Sequence, residues 1–168
     1  MKNRWKWAIA FFATIGTGLA CASIVVPVHL TDADGQGKNI GTVKIDDSIY
    51  GLVLTPTLHD LPPGIHGFHV HEMPMCNHNG SAAGGHLDPD KTLRHSGPYE
   101  SGHLGDLPVL IVDAAGKATL PVLAPRLKLS DIHDRALMIH MGGDNYADVP
   151  EKLGGGGARV ACGIIPYF

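Results

Sequence analysis

Residues 24–57 read "IVVPVHLTDADGQGKNIGTVKIDDSIYGLVLTPT". Three apolar or alternating runs, Ile24 to Leu30, Ile40 to Asp46 and Ile49 to Thr57, have the length and period of strands. The connector "TDADGQGKN" collects the Gly, Asp and Asn that hairpins and corners require. The same rhythm continues outward with runs at Ile65 to His71, Val109 to Val112, Ala118 to Leu123, Ala136 to Met141 and Arg159 to Ile165. "LPPG" and "DAAGK" punctuate them, and no helical periodicity of useful length intervenes. The reading is an all-β protein of eight antiparallel strands.

A chain of 168 residues has the length of one ordinary domain and can bury a core unaided. Its 22 Gly and 12 Pro suit a turn-rich β protein, and 11 His against 4 Phe direct attention to metals. Two connections exceed a tight turn, residues 72–108, about 37 long, and 142–158, about 17 long; loops of that size in a compact domain are usually functional or disordered.

The beginning, "MKNRWKWAIAFFATIGTGLACAS", carries Lys2, Arg4 and Lys6 ahead of a short apolar run. It reads as a secretory signal over residues 1–22, cleaved after Ala20-Cys21-Ala22, with lipidation of Cys21 as the alternative. Residues 23–168 are then the mature domain. Removing the signal takes away three basic and no acidic residues, which moves the formal charge from −3 to −6 and argues against a nucleic-acid partner. Two cysteines remain, Cys76 and Cys162. In an exported chain they read as one disulfide closing a loop of about 86 residues, against the alternative of Cys76 as a metal thiolate.

Histidines concentrate in "GIHGFHVHEMPMCNHNGSAAGGHLDP", residues 64–89. His69 and His71, two apart on a strand, share a face and form either a chelating pair or a hydrogen-bonded polar pair. His66 is out of phase and suits a structural role between backbone groups. His86, His95, His103 and Asp106 offer three imidazoles and a carboxylate, a closed four-coordinate set typical of structural zinc, with a solvated His-rich loop as the bland reading. His140, ending a run, would add a third nitrogen to His69 and His71, and an all-imidazole set suits copper. Asp144 could orient ligand histidines from behind, or serve its turn.

"GFHVHE", "GGHLDP", "GHLGDLP", "IHMGGDN" and "GGGGARVACGIIP" occur in an order and spacing that resemble the copper/zinc superoxide dismutases, particularly their exported bacterial branch. The resemblance covers residues 24–166. It implies a Greek-key β-sandwich or barrel with two long functional loops. It further implies copper on His69, His71, His86 and His140, and zinc on His86, His95, His103 and Asp106, with His86 shared. Asp144 would hydrogen-bond His69 and His95, and Cys76 and Cys162 would form the family's disulfide. Arg159 would guide and dock superoxide, and His86 would carry a proton between the half-reactions. "GGDNYADVPEKLGGGGAR" departs from the loop charges of the eukaryotic branch, and there Lys152 or Lys91 could provide additional steering. His78 is left as a solvated loop residue. The implied activity is disproportionation of superoxide in the periplasm by a homodimer; a non-catalytic copper-binding or storage protein on the same fold is the alternative.

Overall fold

The computed structural model describes residues 23–35 and 37–168, so the predicted signal, with Cys21, lies outside the described residues. Nine strands are present among the described residues: β1 (Ser23–Leu30), β2 (Asn39–Ser48), β3 (Gly51–Leu58), β4 (Gly64–His66), β5 (Phe68–His71), β6 (Leu110–Val112), β7 (Val122–Ala124), β8 (Arg135–His140) and β9 (Arg159–Ile165). All pairings are antiparallel. Seven strands form one sheet in the order β5-β8-β9-β1-β2-β3-β7, and β4 and β6 form a second. Strand β9 returns over a long connection to lie beside β1, ahead of the β1-β2-β3 meander, which is the Greek-key order.

Alternation explains the first three strands. Leu52, Leu54, Pro56 and Leu58 of β3 face inward, as do Val26 and Val28 of β1. In β2 the inward residues are Ile40, Val43 and Ile45, and the odd step from 40 to 43 would put one of them outside in a regular strand. A register shift at Val28/His29, opposite Gly41, resets the phase. Gly41 has φ 116°, and a Cβ there would collide with the Thr57 carbonyl, so glycine is required. Phe68, Val70, Leu110, Leu137 and Ile139 complete the core, each worth about 1.5–3 kcal/mol when fully buried.

Two expected strands differ from the sequence reading. The run 65–71 breaks at Gly67, whose N–H bonds the Gly142 carbonyl while its own carbonyl accepts from His140 N–H. Its halves therefore enter different sheets, β4 with β6 and β5 with β8. The run 118–123 keeps only an isolated bridge of Ala118 to Leu58, and the strand proper shifts to Val122–Ala124, beyond Pro121, which has no N–H to give a ladder. One helical turn, Leu129–Ile132, buries Leu129 and Ile132 and is too short to register as a helical period. No helix among the described residues is long and apolar enough to cross a membrane.

Cys76 and Cys162 form a disulfide with a Cα separation of 5.8 Å, tying the 72–108 loop to β9. At a sequence separation of 86, such a closure stabilises a fold by about 4–5 kcal/mol in the chain-entropy model.

Candidate metal centre

Strand β5 is buried on both faces. Phe68 and Val70 point into the core; His69 and His71 point the other way, under the two long connections. The 72–108 loop returns to β5 and runs alongside it. Leu87 N–H bonds Val70 O at 2.8 Å, Val70 N–H bonds Gly105 O at 2.9 Å, and Leu107 N–H bonds Phe68 O at 3.2 Å. These contacts set His86 opposite His71 and Asp106 opposite His69. Gly105 permits the approach, because a Cβ there would strike the Val70 carbonyl. His140, at the end of β8, enters from the neighbouring strand.

Among the described residues two groups of donor atoms result, the atoms of each lying within 4.8 Å of one another on buried residues: His69, His71, His86 and His140; and His69, His86, His95 and Asp106. His86 belongs to both. His69 joins the second because its ring stacks on that of His86, with centroids 3.9 Å apart. His103 stands just outside, its Nδ1 3.6 Å from Asp106 Oδ1 and its ring centroid 5.4 Å from that of His86.

The far nitrogens of these rings are committed. His69 Nε2 donates to Asp144 Oδ2 at 2.8 Å, His95 Nε2 to Asp144 Oδ1 at 2.7 Å, His71 Nδ1 to Gly84 O at 3.0 Å, and His140 Nδ1 to Gly157 O at 3.2 Å. A ring that donates from one nitrogen presents a lone pair at the other. His71 Nε2 and His140 Nε2 consequently face each other, 3.4 Å apart, with no proton to share. His69 Nδ1, His86 Nε2, His95 Nδ1 and His103 Nδ1 are buried without any hydrogen-bond partner. His95 Nδ1 is 2.9 Å from Asp106 Oδ2, but off the direction a hydrogen bond needs. Each such orphan costs about 1–3 kcal/mol, and four of them in and beside the two donor groups fit cations.

Charge states agree with that fit. Burial, with the neighbouring His86, lowers His69 to about 3, and burial lowers His140 to about 4. Burial likewise pushes His71 down, helped by His86 and Arg159. All three are neutral at physiological pH, the form in which imidazole binds metal. Around Asp106 and Asp144 burial acts to raise the carboxyls, but hydrogen bonds from the facing imidazoles outweigh it and hold both well below the usual range. Burial also works against a charged His95, yet these two carboxylates raise it to about 9. The Asp106 side thus has the electrostatics of a cation site, and the His71–His140 side those of a neutral nitrogen cage.

Residues 39–165 match the sequence profile of the copper/zinc superoxide dismutases. The chain belongs to the copper/zinc superoxide dismutase family. It is 51% identical over 157 residues to a Cu-Zn superoxide dismutase of Haemophilus ducreyi, an alignment covering 88% of this chain and 79% of that one. The Cu/Zn superoxide dismutase of Brucella abortus superposes with a TM-score of 0.82 at 49% identity, over 86% of this chain and 99% of that one. The solution structure of the monomeric enzyme from Salmonella enterica gives 0.77 at 54% identity, with the same coverage.

Other residues of this dismutase lie outside the two donor groups, some of them unannounced by the sequence. His66 is buried and spans two carbonyls, His140 O and Pro62 O, each at 2.7 Å, a backbone-bridging role. His78 is exposed. Arg159 is half-buried, its Nη1 on Gly80 O and Nη2 on Gly84 O, both at 2.6 Å. Three residues missed in the sequence pin the loops: Asp148 accepts from the backbone of His95 (2.9 Å) and Leu153 (3.1 Å), Arg126 reaches the carbonyls of Gly102 (2.8 Å) and His103 (3.1 Å), and Tyr146 Oη accepts from Val109 N–H at 3.0 Å. The carbonyls and amides they hold leave no trace in residue type. An Asp in a Gly-rich loop was the one available signal, and it singles out Asp144 as readily as Asp148.

Proposed function

We propose that His69, His71, His86 and His140 hold the copper of this dismutase and that His86, His95, His103 and Asp106 hold its zinc. The reaction is the family's, disproportionation of superoxide to dioxygen and hydrogen peroxide. Bound copper supplies alternating electron transfer, and zinc, without redox chemistry, supplies fixed positive charge beside His86. The observation that carries the assignment is the set of buried imidazole nitrogens without a protein partner.

The remaining work belongs to the chain. Asp144 clamps His69 and His95 at once, holding one ring of each set in the orientation that aims Nδ1 inward. His86 lies between the sets with Nδ1 2.9 Å from Asp106 Oδ1 and Nε2 free, which makes Nε2 the atom placed to hold the proton handed to peroxide. Arg159 fixes a positive charge one carbonyl away from the copper set, since Gly84 O accepts from both Arg159 and His71. Superoxide approaches residues 23–168 against their net negative charge, so a local cation has to dominate within about 8 Å at physiological salt. Lys91 adds a second one: it lines a cavity of about 230 Å³ with Glu72, His86, Asp88, Leu93 and His103. Lys152 is exposed and is the weaker candidate.

Export and assembly complete the proposal. Residues 1–22 serve as a secretory signal and the mature chain, 23–168, works in the periplasm, a reading supported by bacterial relatives and by a disulfide that persists in oxidising compartments. The homodimer is carried by family resemblance and is set against the monomeric Salmonella relative; sedimentation at the mass of one chain would discard it. Metal analysis with a superoxide assay tests the site: about one copper and one zinc per chain with rapid turnover is the expected result, and copper bound with negligible turnover would overturn it.

A further inference from the structure

The four imidazoles of the copper set are buried, so copper has to reach it from the surface. The segment that leaves it, "EMPMC" at residues 72–76, carries two methionines in an unusual state. Met73 is 48% exposed and Met75 43%, whereas Met138, next door in the fold, is fully buried. A thioether gains nothing from water, and its ordinary use is to fill cores. Exposed in a pair, it is a soft donor selective for Cu(I) over harder cations.

The segment is held in place. Met75 N–H bonds Met73 O at 2.8 Å across Pro74, a three-residue turn whose centre suits proline's fixed φ, so both side chains leave from one bend. The Met73 N–H bonds Ala83 O at 2.9 Å, and Cys76 is locked to Cys162. That disulfide also removes the nearest thiols from competition, leaving the thioethers as the soft donors of the segment. Met73 packs beside Gly84, one residue removed from the copper set. Its Cγ lies 3.7 Å from where a Gly84 Cβ would stand, with Glu72 Oε2 3.2 Å from the same point. Gly84 is the residue whose carbonyl orients His71.

We propose that Met73 and Met75 form a surface capture site for Cu(I), from which copper passes to the buried histidines. The transfer is ligand exchange, thioether for imidazole, with no change in copper's oxidation state and no proton lost from sulfur. Only the destination rests on the copper assignment made above; the capture site itself does not.

The test uses the Cu(I)- and zinc-loaded protein with its disulfide intact, anaerobically, with its histidine site already filled. Equilibration with Cu(I) buffered by a chromophoric chelator is expected to add about one copper per chain, and X-ray absorption at the copper edge to gain a sulfur shell. In M73L/M75L both gains should vanish while zinc content is unchanged. M141L, which removes a thioether exposed to 49% after His140, should retain both. No additional copper in the wild type, additional copper without sulfur, undiminished uptake by M73L/M75L, or equal loss in M141L would each overturn the proposal. Copper lacking any histidine coordination before Cu(I) addition would instead refute the metal-site assignment.

Discussion

Asp144→Asn isolates the link between the two metal sets. The substitution keeps the volume of a side chain whose two oxygens accept from His95 Nε2 at 2.7 Å and His69 Nε2 at 2.8 Å, with Tyr146 N–H donating to the first oxygen at 2.7 Å. An amide accepts on one side only, so its NH2 must face an imidazole N–H on the other. A hydrogen bond to a charged group is worth about 1.5–3 kcal/mol and a neutral one about 0.5–1.5, and losing a partner behind a ligand typically costs 10–100-fold in metal affinity. The two sets should not suffer equally. Two donors, His95 Nε2 and Tyr146 N–H, meet one oxygen and only His69 Nε2 meets the other, so the amide oxygen takes the His95 side and the NH2 faces His69. Copper affinity is therefore expected to fall about 10–100-fold, or about 1.4–2.8 kcal/mol, and zinc affinity by less. Competition against chelators of known affinity, with the disulfide and β-sheet signal verified as intact, gives both values. Copper affinity within threefold of the wild type, or a larger loss for zinc, would refute the reasoning.

Other perturbations separate steering, stapling and packing. Arg159→Ala should lower kcat/KM about tenfold, within the range of local electrostatic effects on encounter, and flatten its salt dependence while both metals stay bound; loss of metal would reassign Arg159 to a structural role. Arg159→Lys keeps the charge but cannot span the carbonyls of Gly80 and Gly84, so it should recover part of the rate. Replacing Cys76 and Cys162 together by serine should cost the metal-free protein about 4 kcal/mol in denaturant unfolding, and a loss under 1 kcal/mol would argue that the loop closes without the bridge. Gly105→Ala drives a methyl into the Val70 carbonyl and should cost about 1–3 kcal/mol together with zinc, read by thermal unfolding and metal content; an unperturbed melt would show that the loop is not pinned there.

The sequence was most informative where one local signal decides one local outcome. The strands of residues 24–57 follow from alternation and turn residues, and β1 to β3 lie close to the predicted limits. Gly67 breaks what looks like one strand because its backbone is claimed by Gly142 and His140, more than seventy positions away, and no period in the sequence registers that. Among the candidate ligands, the i, i+2 spacing places His69 and His71 together, whereas the double membership of His86 depends on the loop doubling back along β5 and came from resemblance alone. Arg126, Asp148 and Tyr146 stayed hidden because each acts on a backbone group, and the position of a backbone group is a property of the fold.

The shared histidine is the central claim. Anomalous difference maps collected at the copper and zinc edges, from crystals of the metal-loaded protein, test it most directly. Two separate peaks are expected on either side of the His86 ring: copper with His69, His71 and His140, and zinc with His95, His103 and Asp106, at donor distances of about 2.0–2.2 Å. A single peak, or two peaks of which only one touches His86, would contradict it.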